Sequence, residues 1–392
     1  MTNDKKSITR RTALPRSASA PVVTPIYPSV VYRSVDADAL DAQYEGQVTG
    51  YSYAREGHPN ADVLAEKINW LEGAEDGIVT SSGMSAITAV ILALMQSGDH
   101  IVAGDQLYGR SLRLMAEDLP RFGITATLAD PTDAAAIVAA IRPETRMILV
   151  ELVSNPTLRI ADLPAIAAIA EERGILLVVD NTFTTPRAFR PFDHGADVVV
   201  HSVTKLLAGH SDATLGYAAA RDPAAMGRIR DLAVTMGFTA SPFDCWLAER
   251  GLHSFALRYD RAEENARALA DHIADAPGVA AVLYPTRPDH PDHNRAAQIL
   301  GKRGGAMVSF RLRGGRQAAN ALIRAADAIP FAPTLGDIGT TLSHAASSSH
   351  RGLTPAARAA IGIDEGFFRV SVGVEDIDQL AAEFLAGIAA AT

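Results

Sequence analysis

"ADVVVHSVTKLLAGHSD", residues 196–212, carries an apolar run, Val198 to Val200, that ends on His201, Ser202, Thr204 and Lys205. An ammonium at the end of a buried strand is costly unless it is paired or neutralised. A strand that simply surfaces, with its lysine in the next loop, would explain this stretch alone, so the rest of the chain has to decide. Similar short apolar runs precede it at 100–105 (HIVAGD), 146–152 (RMILVEL) and 175–180 (ILLVVD). Helical spacing is found between them over 110–119, 133–142 and 162–173. Strands alternating with helices predict an α/β fold, a mostly parallel sheet covered by helices on both faces. Upstream, 61–72 puts Leu64, Ile68 and Leu71 on one helical face, with Asn60 as N-cap and Gly73 as the stop. Past a long helix predicted over 251–273 the pattern thins to VAAVLY, GAMVSFRL and FFRVSVGV. This predicts a large α/β domain over 56–255 and a smaller C-terminal α+β domain over 256–392.

Composition narrows the function classes. The chain has 392 residues, 48% hydrophobic and 21% charged, with a net charge of −9. That length supports a large core and two domains. The acidic balance argues against a nucleic-acid partner, because no basic surplus is present to neutralise phosphates. Cys245 is the only cysteine, so an intrachain disulfide is excluded and a reducing cytoplasm fits. No apolar run is long enough to span a bilayer, and no signal-peptide core is found. Lys5, Lys6, Arg10, Arg11 and Arg16 lie among Ser, Thr and Ala in the first twenty residues, which read as a tail or a transit peptide.

In a doubly wound sheet the ligand site lies beyond the carboxyl ends of the strands. The residues there are Asp180 at the end of ILLVVD, Asn155 after RMILVEL, Tyr108 after HIVAGD and Lys205 after DVVVHS. A further stretch, "TSSGMSAITAVILAL" (80–94), is hydroxylic at its head and apolar at helical spacing behind. It reads as an N-capped helix whose free N–H groups, with Gly83 allowing close approach, suit a phosphate. Neither a Walker sequence nor a strand-linked GxGxxG is found. Phosphate cradle, lysine, strand-end acid and aromatic ring together suit pyridoxal 5′-phosphate. The lysine would form a Schiff base, Asp180 would hold the pyridine nitrogen, Tyr108 would stack on the ring, and Ser202 and Thr204 would add hydroxyls to the phosphate. An aminotransferase shares these parts and stays open as an alternative, as does a non-catalytic cofactor-binding protein.

From about residue 22 onward the chain resembles the trans-sulfuration (Cys/Met metabolism) family of pyridoxal-phosphate enzymes. "HSVTKLLAGHSD" is similar to that family's S-x-T-K-x-x-x-G-H-S-D, and SSGMSAI, Tyr108-Gly109, SNP (154–156), VVDNTF, HPDH (290–293), GGAMVSF and RVSVGVED follow in the family's order. The resemblance implies the type I, aspartate aminotransferase-like fold of such enzymes. It makes Lys205 the Schiff-base lysine, Asp180 the partner of the pyridine nitrogen and Tyr108 the stacking ring. Asn155 and Thr182 flank the cofactor, while Ser82, Gly83, Met84, Ser202 and Thr204 surround its phosphate. Arg369, with Asn155 and Thr334, takes the substrate. Tyr53 and Arg55 match a Y-x-R element that reaches the phosphate of a neighbouring subunit, which makes 1–55 a tail and arm and the protein a homo-oligomer, a dimer of dimers. His290 and His293 have metal-like spacing, but the family carries HPxH without metal, so no metal site is assigned.

The implied activity is elimination or replacement at Cβ or Cγ of a sulfur amino acid or O-acylhomoserine, as in cystathionine γ-synthase or γ-lyase. Departures from the family pattern bear on the substrate. They are Arg110 after Tyr-Gly with no cysteine there, Leu206 after the lysine, His58 and Asn60 in place of the usual residues, and Gly339-Thr340 where a Glu-Ser pair is common. Synthase and lyase therefore both stay open.

Overall fold

A computed structural model describes residues 17–392; the basic residues Lys5, Lys6, Arg10, Arg11 and Arg16 of the expected tail lie outside the described residues. Seven strands form the larger sheet: β1 (Gly77–Thr80), β2 (His100–Gly104), β3 (Thr125–Ala129), β4 (Thr145–Glu151), β5 (Leu176–Asp180), β6 (Val198–His201) and β7 (Gly216–Ala220), in the order β1-β7-β6-β5-β4-β2-β3. From β3 to β6 every pairing is parallel, and β7 alone of the seven runs against the rest, pairing antiparallel with β6 on one side and β1 on the other. The predicted α/β architecture is therefore the one observed.

Alternation along each strand explains the two covered faces. Met147, Leu149, Val178, Val198 and Val200 pack into one core with the helices Gly83–Leu94 and Pro223–Met236. Ile148, Val150, Leu177, Val179 and Val199 pack into the other, against Pro59–Glu72 and Leu163–Arg173. A strand buried on both faces has no polar position to spare, which is why these runs read as continuous hydrophobics.

A second sheet contains β8 (Val279–Leu283), β9 (Met307–Leu312), β10 (Thr341–His344) and β11 (Phe367–Ser371), all antiparallel in the order β10-β11-β9-β8. Phe310, Phe368 and Val370 face a core shared with helices Phe255–Ala274, Gly315–Ala325 and Ile377–Ala390. The opposite face carries Ser309, Arg369 and Ser371, and it meets the loops of the larger sheet. Ser309 Oγ donates to Pro156 O at 2.6 Å, and Ser371 Oγ accepts from Gly336 N at 2.8 Å.

Three local expectations need correction. The helix Pro59–Glu72 is capped by His58, whose side chain accepts from Ala61 N, while Asn60 lies inside the first turn. Asn60 instead holds the N-terminal arm, accepting from Tyr27 N and donating to Pro25 O. The helix expected over 251–273 is broken between Pro242–Leu252 and Phe255–Ala274; at the break the Gly251 carbonyl accepts from Ser254 N and from the buried Arg258 guanidinium. The stretch 110–119 starts as a short helix, Gly109–Arg113, then widens into a π turn over Leu114–Asp118.

Candidate active site

The carboxyl ends of β4, β5 and β6 open onto one place. Lys205 stands one turn beyond β6, in a turn closed by Lys205 N donating to Ser202 O at 3.1 Å and Gly209 N donating to Lys205 O at 2.8 Å. Arg258 backs this turn, donating to Leu206 O and Leu207 O at 3.1 Å each. Gly209, at φ +75, lies directly over that guanidinium, so a side chain there would collide with it. Burial, reinforced by the nearby Arg369 charge, lowers the Lys205 ammonium below the usual lysine range. The amine is poised toward its neutral, nucleophilic form.

Asp180 ends β5 and is 8% exposed. Burial raises its carboxyl, and hydrogen bonding by Thr182 opposes that shift; Thr182 N donates to Asp180 Oδ1 at 3.0 Å. The Thr182 hydroxyl in turn accepts from Ser202 N at 2.7 Å, tying the end of β5 to the start of the lysine turn. Tyr108 is the N-cap residue of Gly109–Arg113, with its ring 43% exposed and its backbone N–H bonded to Glu151 Oε1 at 2.8 Å.

Arg369 is the strongest electrostatic feature. It is buried and donates through Nη1 to Asn155 Oδ1 at 2.7 Å and through Nη2 to Thr334 O at 2.6 Å. Its Nε has no partner. Both partners are neutral, so among the described residues no carboxylate pairs with this guanidinium, and burial pulls it down to about 10. An uncompensated buried cation with a spare donor is a receptor for an anion. Thr334 contributes its backbone carbonyl to this arrangement.

The cradle lies at the N-terminus of helix Gly83–Leu94. Ser82 caps it, accepting from Ser85 N at 3.1 Å, and the Ser85 hydroxyl lies 3.0 Å from that of Ser81 and 2.9 Å from that of Ser82. A Cβ on Gly83 would sit 2.7 Å from Ser202 Cβ, so only glycine allows this close meeting of helix and lysine turn. Met84 is half-buried and its sulfur receives a weak bond from Ser111 Oγ. Thr204 faces inward: its hydroxyl donates to Leu215 O and accepts from Leu215 N, so its proton is committed to the backbone. Tyr53 and Arg55 are exposed. Arg55 pairs with its neighbour Glu56 at 3.2 Å and lies over the Tyr53 ring, with no bond to the cradle of its own chain.

These residues fit pyridoxal phosphate on their own chemistry. A helix N-terminus with hydroxyls suits a doubly charged phosphate, a buried acid suits a pyridinium, a desolvated lysine suits a carbonyl, and the spare Arg369 donor suits a carboxylate.

Three features escaped the sequence. Glu151 reads as part of the apolar run RMILVEL, although an acid in a buried strand is a signal in itself. Glu72, His201 and Asn181 form a fully buried network on the opposite face of the sheet, with Asn181 Nδ2 donating to Glu72 Oε1 at 2.8 Å. Thr340, at the position compared with the Glu-Ser pair, spends its hydroxyl internally, donating to Glu375 Oε2 and accepting from Gly373 N, both at 2.9 Å.

Comparison with known proteins agrees with this geometry. Residues 8–389 match the model of a family described as Cys/Met metabolism PLP-dependent enzymes. The O-succinylhomoserine sulfhydrylase of Pseudomonas aeruginosa is 40% identical over 92% of this chain and 89% of its own. An L-methionine gamma-lyase of Pseudomonas putida is 37% identical over 94% and 93%. Among solved structures, the cystathionine gamma synthase of Xanthomonas oryzae pv. oryzae in complex with cystathionine superposes with a TM-score of 0.90, at 36% identity, over 96% and 95% of the two chains. The chain belongs to the Cys/Met metabolism family of pyridoxal-phosphate-dependent enzymes, with the type I fold that those structures share.

Proposed function

We propose that this enzyme eliminates or replaces the side-chain group at Cβ or Cγ of a sulfur amino acid or O-acylhomoserine, with Lys205 as the lysine that carries the cofactor. The observation that carries the reading is the buried Arg369, paired with no carboxylate among the described residues, on the small sheet opposite a lysine whose amine is held toward neutrality. Arg369 and Asn155 bind the substrate α-carboxylate, and the Thr334 carbonyl fixes the guanidinium in that pose. Ser82, Gly83, Met84, Ser202 and Thr204 surround the cofactor phosphate, Asp180 holds the pyridine nitrogen, and Thr182 and Tyr108 flank the ring. Pyridoxal phosphate, when bound, supplies an electron sink for the substrate α-carbon. The neutral Lys205 Nζ takes the proton from Cα and, for chemistry at Cγ, moves a proton at Cβ. Tyr108, exposed on its helix cap, covers the pocket against water.

The protein works as a homo-oligomer, a dimer of dimers, in which Tyr53 and Arg55 complete the phosphate site of the adjacent subunit. Two observations support this reading: Arg55 lacks a bond to its own cradle, and the arm that carries it exposes Val22, Val23, Val30, Val31 and Val35. The lone thiol, Cys245, is buried, which fits a reducing cytoplasm.

The test offers purified enzyme cystathionine, cysteine, methionine, and O-acetyl- or O-succinylhomoserine with cysteine, and identifies the products by mass spectrometry. A keto acid released without an added acceptor, or a new thioether, supports the reading. Amino-group transfer that needs an added keto acid overturns it. Borohydride reduction of the holoenzyme and peptide mapping should find the pyridoxyl group on Lys205; a label on another lysine removes that assignment.

A further inference from the structure

Two acids end adjacent strands of the large sheet on the same face. Glu151 and Asp180 are register partners of β4 and β5. Glu151 continues the Met147, Leu149 side of its strand and Asp180 the Val178 side of its own. Neighbouring strands run about 4.8 Å apart. Both acids are 8% exposed, and among the described residues neither is paired with a lysine or arginine. Two carboxylates placed so closely and so dry do not both ionise.

We propose that Glu151 is a positioning residue that keeps the one proton of this pair, so that Asp180 alone carries negative charge toward the pyridine nitrogen. The inference rests on the role of Asp180 proposed above. A neutral Glu151 still accepts the Tyr108 N–H through its carbonyl oxygen, so the same side chain anchors the ring-covering residue. Its proton removes the repulsion that would otherwise drive Asp180 to protonate. The surroundings divide the pair in this sense. Burial raises both carboxyls; for Glu151 burial and the Asp180 charge outweigh the backbone donors Tyr108 and Asn155 and push it well above the usual carboxyl range, whereas Asp180 is restrained by the Thr182 side chain and backbone and by His201 behind the sheet. Tyr108, held by Glu151 through its backbone N–H, brings a further ionisable side chain to this end of the strands. The helix that covers this face, Gly83–Leu94, contains none.

The amide of Glu151→Gln imitates the protonated acid, so this variant separates proton-holding from charge. Infrared spectra of the wild-type holoenzyme are expected to show a protonated-carboxyl band that shifts when glutamate, and not aspartate, is isotope-labelled. Glu151→Gln is expected to remove that band while keeping pyridoxal-phosphate affinity and kcat within about threefold of wild type. A band that follows the aspartate label, or that survives in Glu151→Gln, overturns the proposal. So does a loss of more than about tenfold in kcat in a Glu151→Gln protein that still binds cofactor. Asp180→Asn tells a failure of the underlying reading apart. It should lower kcat by on the order of a hundredfold with cofactor retained; an unchanged kcat there removes the role of Asp180 itself, whatever Glu151 does.

Discussion

Arg369 shows how a single side chain can be costly to the fold while the proposed function requires it at the site. Its guanidinium is buried among neutral partners, with Nε unbonded. A charge in that position destabilises the protein until an anion arrives. Arg369→Met, similar in bulk and uncharged, should therefore melt at or above the wild-type temperature in the substrate-free holoenzyme. The same change should raise KM for every amino-acid substrate by on the order of a hundredfold, the scale of one or two charge-assisted hydrogen bonds. Calorimetry and steady-state kinetics on one preparation test both halves. A KM change confined to one substrate would mean that Arg369 contacts the distal group rather than the carboxylate.

At the scale of elements, the loop between Thr334 and Gly339 connects the two sheets at the site. Gly336, at φ +83, gives its N–H to Ser371 Oγ, and a Cβ there would lie 2.5 Å from Leu206 N and 2.7 Å from the Lys205 carbonyl carbon. Backbone cannot yield as a flexible side chain does, and a left-handed conformation adds roughly 1–2 kcal/mol for any other residue. Gly336→Ala is expected to destabilise the protein by at least that amount, and to lower kcat/KM by about tenfold as the lysine turn shifts. Gly227→Ala is the control. Gly227 lies in helix Pro223–Met236 with open space around it, so alanine should stabilise by about 0.5–1 kcal/mol and leave catalysis unchanged. If chemical denaturation and kinetics do not separate the two variants, the loop does not hold the lysine.

At the scale of the molecule, the role proposed for Tyr53 and Arg55 requires a neighbouring subunit. A cofactor phosphate carries nearly two charges, and the cradle sequence TSSGMSAI contains no lysine or arginine. Arg55→Ala and Lys205→Ala should each be inactive alone. Mixed under conditions of subunit exchange, they form hybrids with one doubly damaged site and one intact site, and activity should return. Hybrids that form, shown by native mass spectrometry, without regained activity would place Arg55 within its own chain.

The sequence by itself determined the parallel strands, the helices covering them and the strand-end positions of Lys205, Asp180, Asn155 and Tyr108. Strands buried on both faces must be continuously apolar, and polar residues directly after them stand out. Short or alanine-rich strands did not show. β7, GYAAA, has the composition of a helix, and β1, GIVT, is four residues long; only pairing within the sheet makes them strands. The break before Phe255 was equally hidden, and the guanidinium that bonds the Gly251 carbonyl there reaches from the next helix. Tertiary structure alone brought Arg369 to Asn155, 214 positions apart, and set Glu151 beside Asp180. Charge compensation, unlike periodicity, is a property of neighbours in space, and the chain order does not contain it.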